Sequence, residues 1–260
     1  MNRPCVVTIA GSDSGGGAGI QADLRTINSF GAHSASVITA ITAQNSRTVS
    51  AVLTLPDEIV EQQIDAVMSD LHPAVVKLGM LGNARMVSLV ARKLREWKPE
   101  KVVLDPVMIA SSGDTLLEEN AIEALKEELI PISTLITPNW FEAGALINAQ
   151  PRGLEDVQRI VISLQRLGAR AVLVKGGHLK GVTVIDTLCS DGVYTQYSHP
   201  RIDDAEGHGT GCALASAIAA SLALGKNLVE ACQAATDYVH RALAGRYGTG
   251  GSKPVYLALE

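Results

Sequence analysis

The chain has 260 residues, 47% of them hydrophobic and 19% charged, which is enough to build a sizeable core in one large α/β domain or two small ones. A net charge of −5 and the lack of any Lys/Arg cluster argue against nucleic acid or an anionic membrane as partner. The four cysteines, Cys5, Cys189, Cys212 and Cys232, lie far apart without CxxC or zinc spacing and read as reduced thiols of a cytoplasmic protein.

In chain order, strand-like and helix-like segments alternate. Cys5–Gly11 is an apolar, β-branched run ending in glycine, the pattern of a buried parallel strand and too short for a secretory signal. Ala18–Phe30 places Ile20, Leu24 and Ile27 at helical spacing, with Gly31 to end it. His33–Thr42 and Thr48–Leu55, rich in Val, Ile and Thr, predict strands. Asp57–Leu71 follows Pro56 and sets Val60, Ile64, Val67 and Leu71 on one helical face. Ala74–Gly79 predicts a strand, and Asn83 a cap for a helix that turns Val87, Val90, Leu94 and Trp97 inward.

The second half repeats the alternation: strand Lys101–Asp105, helix Glu118–Ile130, short strand Thr134–Thr137, helix Leu154–Leu167 closed by Gly168, strand Ala171–Lys175. Val182–Leu188 and Val193–Tyr197, split by Ser190-Asp191-Gly192, predict a hairpin. Two helices follow, near Thr210–Leu224 and Asn227–Ala244; the apolar run Ala213–Leu224 is too short and alanine-rich to span a bilayer. With no internal repeat and no linker-like tract, the expectation is one α/β domain over residues 1–260, with a central, mostly parallel sheet and helices on both faces. In such sheets ligands bind at the carboxyl ends of the strands. The glycine-bearing or polar loops Gly11–Gly19, Gly79–Gly82, Asp105–Gly113, Thr137–Glu142 and Lys175–His178 all fall at those ends.

Gly207-His208-Gly209-Thr210-Gly211-Cys212, followed by a run of small apolar residues, reads as a glycine-rich loop opening a buried helix. The first amides of such a helix lack carbonyl partners and point outward with the positive end of the helix dipole, an anion site suited to a phosphoryl group in transfer. The plainer reading is a glycine turn capped by Thr210. Cys212, an ionisable side chain set at that turn, favours the first.

Seven motifs, in order and with matching spacing, now carry a resemblance: Gly11-Ser-Asp-Ser-Gly-Gly-Gly-Ala-Gly-Ile-Gln-Ala-Asp23, Thr42-Ala-Gln-Asn45, Gly79-Met-Leu-Gly82, Asp105-Pro-Val-Met108, Thr137-Pro-Asn139 with Glu142, Lys175-Gly-Gly-His178, and His208-Gly-Thr-Gly-Cys212. From Val6 to about Tyr247 the chain resembles the hydroxymethylpyrimidine/phosphomethylpyrimidine kinases of thiamine biosynthesis, in the ribokinase-like superfamily. No Walker A sequence is present, so a P-loop kinase is excluded.

The resemblance implies ATP and Mg²⁺ as cofactors, a small-molecule substrate (hydroxymethylpyrimidine and its monophosphate), and a cytoplasmic homodimer. It places Cys212 at a position that is usually aspartate, acting as base, in the wider superfamily and cysteine in the pyrimidine-kinase branch. A thiol at a helix N-terminus can have a lowered pKa and accept a proton; a shaping role for Cys212 stands beside that one. Gly209, Thr210 and Gly211 form the expected anion hole. Asp105 and Glu142 go to the magnesium–phosphate region, as hard oxygen ligands that suit Mg²⁺ held mostly by water and phosphate. Asn139 fits that cluster, and Lys175 either contacts nucleotide phosphate or pairs with a neighbouring acid. His178 reads as structural. Asp186, Gly207 and His208 line the nucleotide.

For the aminopyrimidine, with its ring-nitrogen acceptor and amino donor, one amide side chain satisfies both groups, and Gln44 resembles the family residue for that task. Asp23 is a second polar candidate, Gly11 permits close backbone approach, and Met80 and Val107 sandwich the ring or serve as ordinary core. Two departures touch efficiency: Glu206 beside the phosphate loop, and Asp237 where relatives often carry lysine. Pyridoxal kinase and a silent nucleotide-binding module are the alternative readings.

Overall fold

The computed structural model describes residues 3–45, 47–110, 113–202, 207–247, 255 and 257. Nine strands form one sheet: β1 (Cys5–Asp13), β2 (His33–Gln44), β3 (Val49–Thr54), β4 (Val75–Leu78), β5 (Lys101–Leu104), β6 (Leu135–Ile136), β7 (Ala171–Val174), β8 (Thr183–Ser190) and β9 (Val193–Pro200). Their order is β3-β2-β1-β4-β5-β6-β7-β8-β9. The six from β2 to β7 run parallel, while β3, β8 and β9 each join their inner neighbour antiparallel. Connections after β1 and β4 diverge to opposite sides, so a crevice opens between the carboxyl ends of these two neighbours.

The helices are α1 (Gly19–Ser29), α2 (Asp57–Leu71), α3 (Ala84–Trp97), α4 (Glu119–Ala124), α5 (Trp140–Leu146), α6 (Val157–Arg166), α7 (Thr210–Ala223) and α8 (Leu228–Ala244). They cover both faces. Val7, Ile9, Val76, Leu78, Leu104 and Val172 pack against the layer holding α2, α3, α4, α5 and α6. Val6, Val75, Val103 and Leu173 point the other way, toward α1, α7 and α8. Strand parity then decides where the polar positions go. Thr8, Lys77, Asp105 and Lys175 fall in phase with the second set, on the α7 side.

Most expected elements form, and the differences have local causes. The helix expected over Glu118–Ile130 stops as α-helix at Ala124, widens into a π turn at Leu125–Leu129 and tightens into a 3₁₀ turn at Ile130–Ile132. Pro131 has no N–H to continue the ladder, and Ser133 Oγ donates to Leu129 O (2.7 Å) instead. Helix α5 is additional to the expected set; it is short, but Asn139 and Glu142 form a full capping box at its start. The Leu154–Leu167 segment opens as a 3₁₀ turn at Leu154–Asp156 before α6 begins. The β8–β9 turn holds Asp191 and Gly192 at φ 51° and 76°, the pair of positive values a type I′ hairpin requires.

Candidate active site

A cavity of about 840 Å³ lies at the carboxyl ends of the parallel strands. Gly11, Gln44, Met80, Val107, Asp105, Asn139, Glu142, Lys175, Asp186 and the whole Gly207–Cys212 turn line it. Fifteen of the sixteen residues singled out from sequence, all except Asp23, therefore line one cavity, which is large enough for a nucleotide plus a small heteroaromatic.

The anion-binding turn is built on close backbone packing. Gly209, at φ 81°, is the residue before α7, and a Cβ there would sit 1.8 Å from Gly17 O. Only glycine fits. Thr210 is not the cap: it is the first helical residue, and its hydroxyl donates to Gly207 O (2.8 Å). Among the described residues the amides of Gly209, Gly211 and Cys212 donate to nothing. These are the outward-facing donors that make an anion site.

The opposing loop is locked to this turn. Asp13 Oδ2 accepts from Gly17 N (3.0 Å) and Ala18 N (2.8 Å) and lies 3.0 Å from His208 Nε2. Burial raises the Asp13 pKa, but these hydrogen bonds outweigh it and hold the carboxyl below the ordinary aspartate range. His208 thus faces Asp13 and ties the two glycine loops together. Glu206 lies outside the described residues.

The floor is an acid–base cluster. Asp105, only 1% exposed, accepts from Lys175 Nζ at 2.6 Å and from Thr137 Oγ1 at 3.1 Å, all through Oδ1. Glu142 Oε2 accepts from Asn139 N (2.7 Å) and lies 3.5 Å from the same ammonium. Glu142 is therefore buried rather than an exposed helical charge. Burial opposes the charge on Lys175, yet Asp105 and Glu142 hold its pKa above the usual lysine value. Burial pushes Glu142 up to about 7, with Lys175 opposing the shift and Asp105 adding to it. Asp186, raised by burial, accepts from Gly176 N (2.7 Å) at the far end of the cavity.

The cluster fits a magnesium ion. Among the described residues Asp105 Oδ2 and Glu142 Oε1 accept no hydrogen bond, which leaves two hard oxygen donors beside the anion-binding turn. Among the same residues, no group of three or more His, Cys, Asp or Glu side chains could hold an ion alone. That donor set suits Mg²⁺, which takes one or two carboxylates and completes its shell with phosphate and water.

At the other end, Gln44 closes β2. Its Oε1 lies 3.0 Å from Thr42 Oγ1, and its Nε2 donates to nothing among the described residues. A Cβ on Gly11 would stand 2.9 Å from Met80 Sδ, so glycine here lets the thioether cover the backbone.

Asp23 is the exception. It is fully buried and does not line the cavity. Its carboxylate accepts from Lys77 Nζ at 2.9 and 2.8 Å, from Ser216 Oγ at 2.8 Å and from Thr8 Oγ1. Helical spacing from Gly19 put it on the buried face of α1, not the ligand face. Lys77 itself does line the cavity and was missed. Its signal was a lysine inside the apolar run Val75-Val76-Lys77-Leu78, where an unpaired charge is too costly to keep. Asp237 lies off the cavity wall, accepting from Gln233 Nε2 (2.9 Å).

Cys212 departs from expectation in its chemistry. Burial pushes the thiol up to about 11, opposed by the positive charge of Lys77; the helix terminus does not leave it a thiolate at neutral pH. Cys5, Cys189 and Cys232 are buried, whereas Cys212 is half-buried. Iodoacetamide should therefore modify Cys212 first, with ATP protecting it. Without ligand the rate should climb about tenfold per pH unit from pH 8 to 10, as the thiolate fraction grows. Peptide mass spectrometry reads both; a plateau below pH 8 would contradict the buried-thiol description.

A model of the phosphomethylpyrimidine kinase family matches residues 13–255. The hydroxymethylpyrimidine/phosphomethylpyrimidine kinase of Rhizobium meliloti (strain 1021) is 48% identical over 239 residues, 92% of this chain and 90% of that protein. A crystal structure of phosphomethylpyrimidine kinase (thiD) from Clostridium difficile 630 is 40% identical, with a TM-score of 0.83, covering 93% of this chain and 100% of that one. The pyridoxal kinase from Staphylococcus aureus in complex with AMP-PCP and pyridoxal is 30% identical with a TM-score of 0.91, covering 99% of this chain and 94% of that one.

Proposed function

The chain belongs to the phosphomethylpyrimidine kinase family, and from that premise we propose that it transfers the γ-phosphoryl group of ATP to 4-amino-5-hydroxymethyl-2-methylpyrimidine and then phosphorylates the monophosphate to the diphosphate, for thiamine diphosphate formation. One observation carries this reading. A single cavity joins an apolar end bearing one amide side chain to a turn of free amides above two carboxylates and a lysine.

Residues 1–260 act as one kinase domain. Gln44 Oε1 accepts from the pyrimidine amino group and Nε2 donates to a ring nitrogen, while Met80 and Val107 cover the faces of the ring. The hydroxymethyl oxygen is held near Cys212. As the bond from that oxygen to phosphorus forms, the bond to the ADP oxygen breaks, and charge on the transferred group meets the amides of Gly209, Gly211 and Cys212. Asp105 and Glu142 would hold Mg²⁺, which neutralises phosphate charge. Lys175 orders the two carboxylates and adds positive charge. Asn139 fixes Glu142 through the capping box, and Asp186, Gly207 and His208 border the nucleotide.

Pyridoxal phosphorylation is the second reading, favoured by the overlap with the pyridoxal kinase fold. The Gln44 amide separates the two. Gln44→Leu should raise KM for the aminopyrimidine about 10–100-fold, the loss of one or two hydrogen bonds, with kcat changed far less. Steady-state kinetics checks this; an unchanged KM would remove Gln44 from recognition.

We also propose a cytoplasmic homodimer. Ile41, Val52 and Leu53 stand exposed on β2 and the edge strand β3, and the four free cysteines suit a reducing compartment. Sedimentation of the purified chain gives its assembly mass.

A further inference from the structure

A lysine with no exposed surface lies in the central sheet, directly under the site. Lys77 sits on β4, opposite Thr8 of β1. Its ammonium reaches the cavity beside Gly79, where a Cβ would come within 2.9 Å of Nζ. Asp23 of α1 holds it through both carboxylate oxygens, and Ser216 of α7 donates to Asp23 at 2.8 Å. Ser216 is four residues after Cys212, one helical turn along the same face of α7. One ion pair therefore binds β4 and α1 to the first turns of the helix that presents the anion-binding amides.

We propose that Lys77, held by Asp23, is a positioning residue for phosphoryl transfer: it pins the N-terminal turns of α7 to the sheet and sets a fixed positive charge beneath Cys212. This rests on the reading of that turn as the phosphoryl site. Several features support it. A buried ion pair contributes little net stability compared with apolar residues of similar volume, so its presence under a catalytic turn calls for another role. Asp23 is well satisfied, accepting from Lys77, Ser216 and Thr8. Asp23 overcomes the burial that disfavours the ammonium and keeps the Lys77 pKa above its ordinary value, so the charge is permanent. Substrate recognition does not explain it, because the Lys77 ammonium is engaged by both carboxylate oxygens of Asp23.

The test uses the double variant Asp23→Asn/Lys77→Met, which removes both charges and leaves neither stranded, together with the milder Ser216→Ala and Thr8→Val. The primary readout is alkylation of Cys212 by iodoacetamide at pH 8 without substrates, so it does not depend on the kinase reading. In the double variant the rate should fall about three- to fivefold, because the lost Lys77 charge favours the thiolate more than the lost Asp23 charge opposes it. With hydroxymethylpyrimidine and MgATP, kcat should fall at least about tenfold while KM for the pyrimidine stays within about threefold, as for an interaction made in the transition state. Ser216→Ala and Thr8→Val should each slow alkylation about two- to threefold, through loosened support of Asp23. A folded double variant with the wild-type alkylation rate and kcat would overturn the proposal. If the double variant does not fold, wild-type alkylation and kcat in both milder variants would overturn it equally. Slowed alkylation in a chain that phosphorylates neither pyrimidine nor pyridoxal would leave the Lys77 coupling standing and reject the kinase reading.

Discussion

Replacing Cys212 with alanine should lower kcat by roughly 10²–10⁴, the range for loss of a group that handles the proton of the nucleophile. KM for the pyrimidine should change little, because Gln44, Met80 and Val107 hold the ring. Cys212 is the third residue of α7, and its own amide belongs to the anion-binding set, so the substitution removes the side chain and leaves the amides. Because burial pushes the thiol up to about 11, placement of the hydroxymethyl group and acceptance of its proton are separable roles. Cys212→Asp separates them. Aspartate should recover part of the rate if proton acceptance dominates, and recovery stays incomplete because it adds negative charge beside the phosphoryl group. Near-normal kcat in Cys212→Ala with a lowered Tm would make the residue structural and leave the amides to act alone.

Asp105→Asn should reduce kcat by about 10²–10³, or roughly 3–4 kcal/mol of transition-state stabilisation. The amide keeps the shape but supplies no charge for a cation and none for Lys175. Raising Mg²⁺ should recover only part of the loss. On sequence alone this loss should spare stability, as for a carboxylate at a strand end facing phosphate. Burial changes that. Asp105 is itself buried and is the nearer partner of the half-buried Lys175 ammonium, at 2.6 Å, so Tm should also fall, tempered by Glu142 at 3.5 Å. Rates across a Mg²⁺ series, with calorimetry on the same samples, check both effects. Wild-type kcat at low Mg²⁺ would remove Asp105 from the phosphate region.

How much was legible follows from where each signal lives. Alternating apolar runs and glycine-bearing loops report local structure, so the strand and helix order was readable, and with it the line of loops at the strand ends. Periodicity placed α2 at Asp57–Leu71 to the residue, since Pro56 and the apolar stripe agree there. It overran at Ala124, where the change of pitch into Pro131 leaves no mark on the apolar pattern.

At the site, motif residues converged because their loops share one end of the sheet. Pairings across the sheet were not legible. Lys77 with Asp23 and Asp13 with His208 join residues 54 and 195 positions apart; for Lys175 the sequence offered an acid partner, and the structure supplies two, Asp105 and Glu142. The thiol's raised pKa is likewise a property of burial, which no spacing encodes.

The most direct test of the account is a coupled assay of ADP release by the purified, folded chain, with MgATP and hydroxymethylpyrimidine, its monophosphate or pyridoxal, and products identified by mass spectrometry. The expected products are the monophosphate and then the diphosphate of the pyrimidine, with kcat/KM for the pyrimidine above that for pyridoxal. Turnover of pyridoxal with none of the pyrimidine would contradict it.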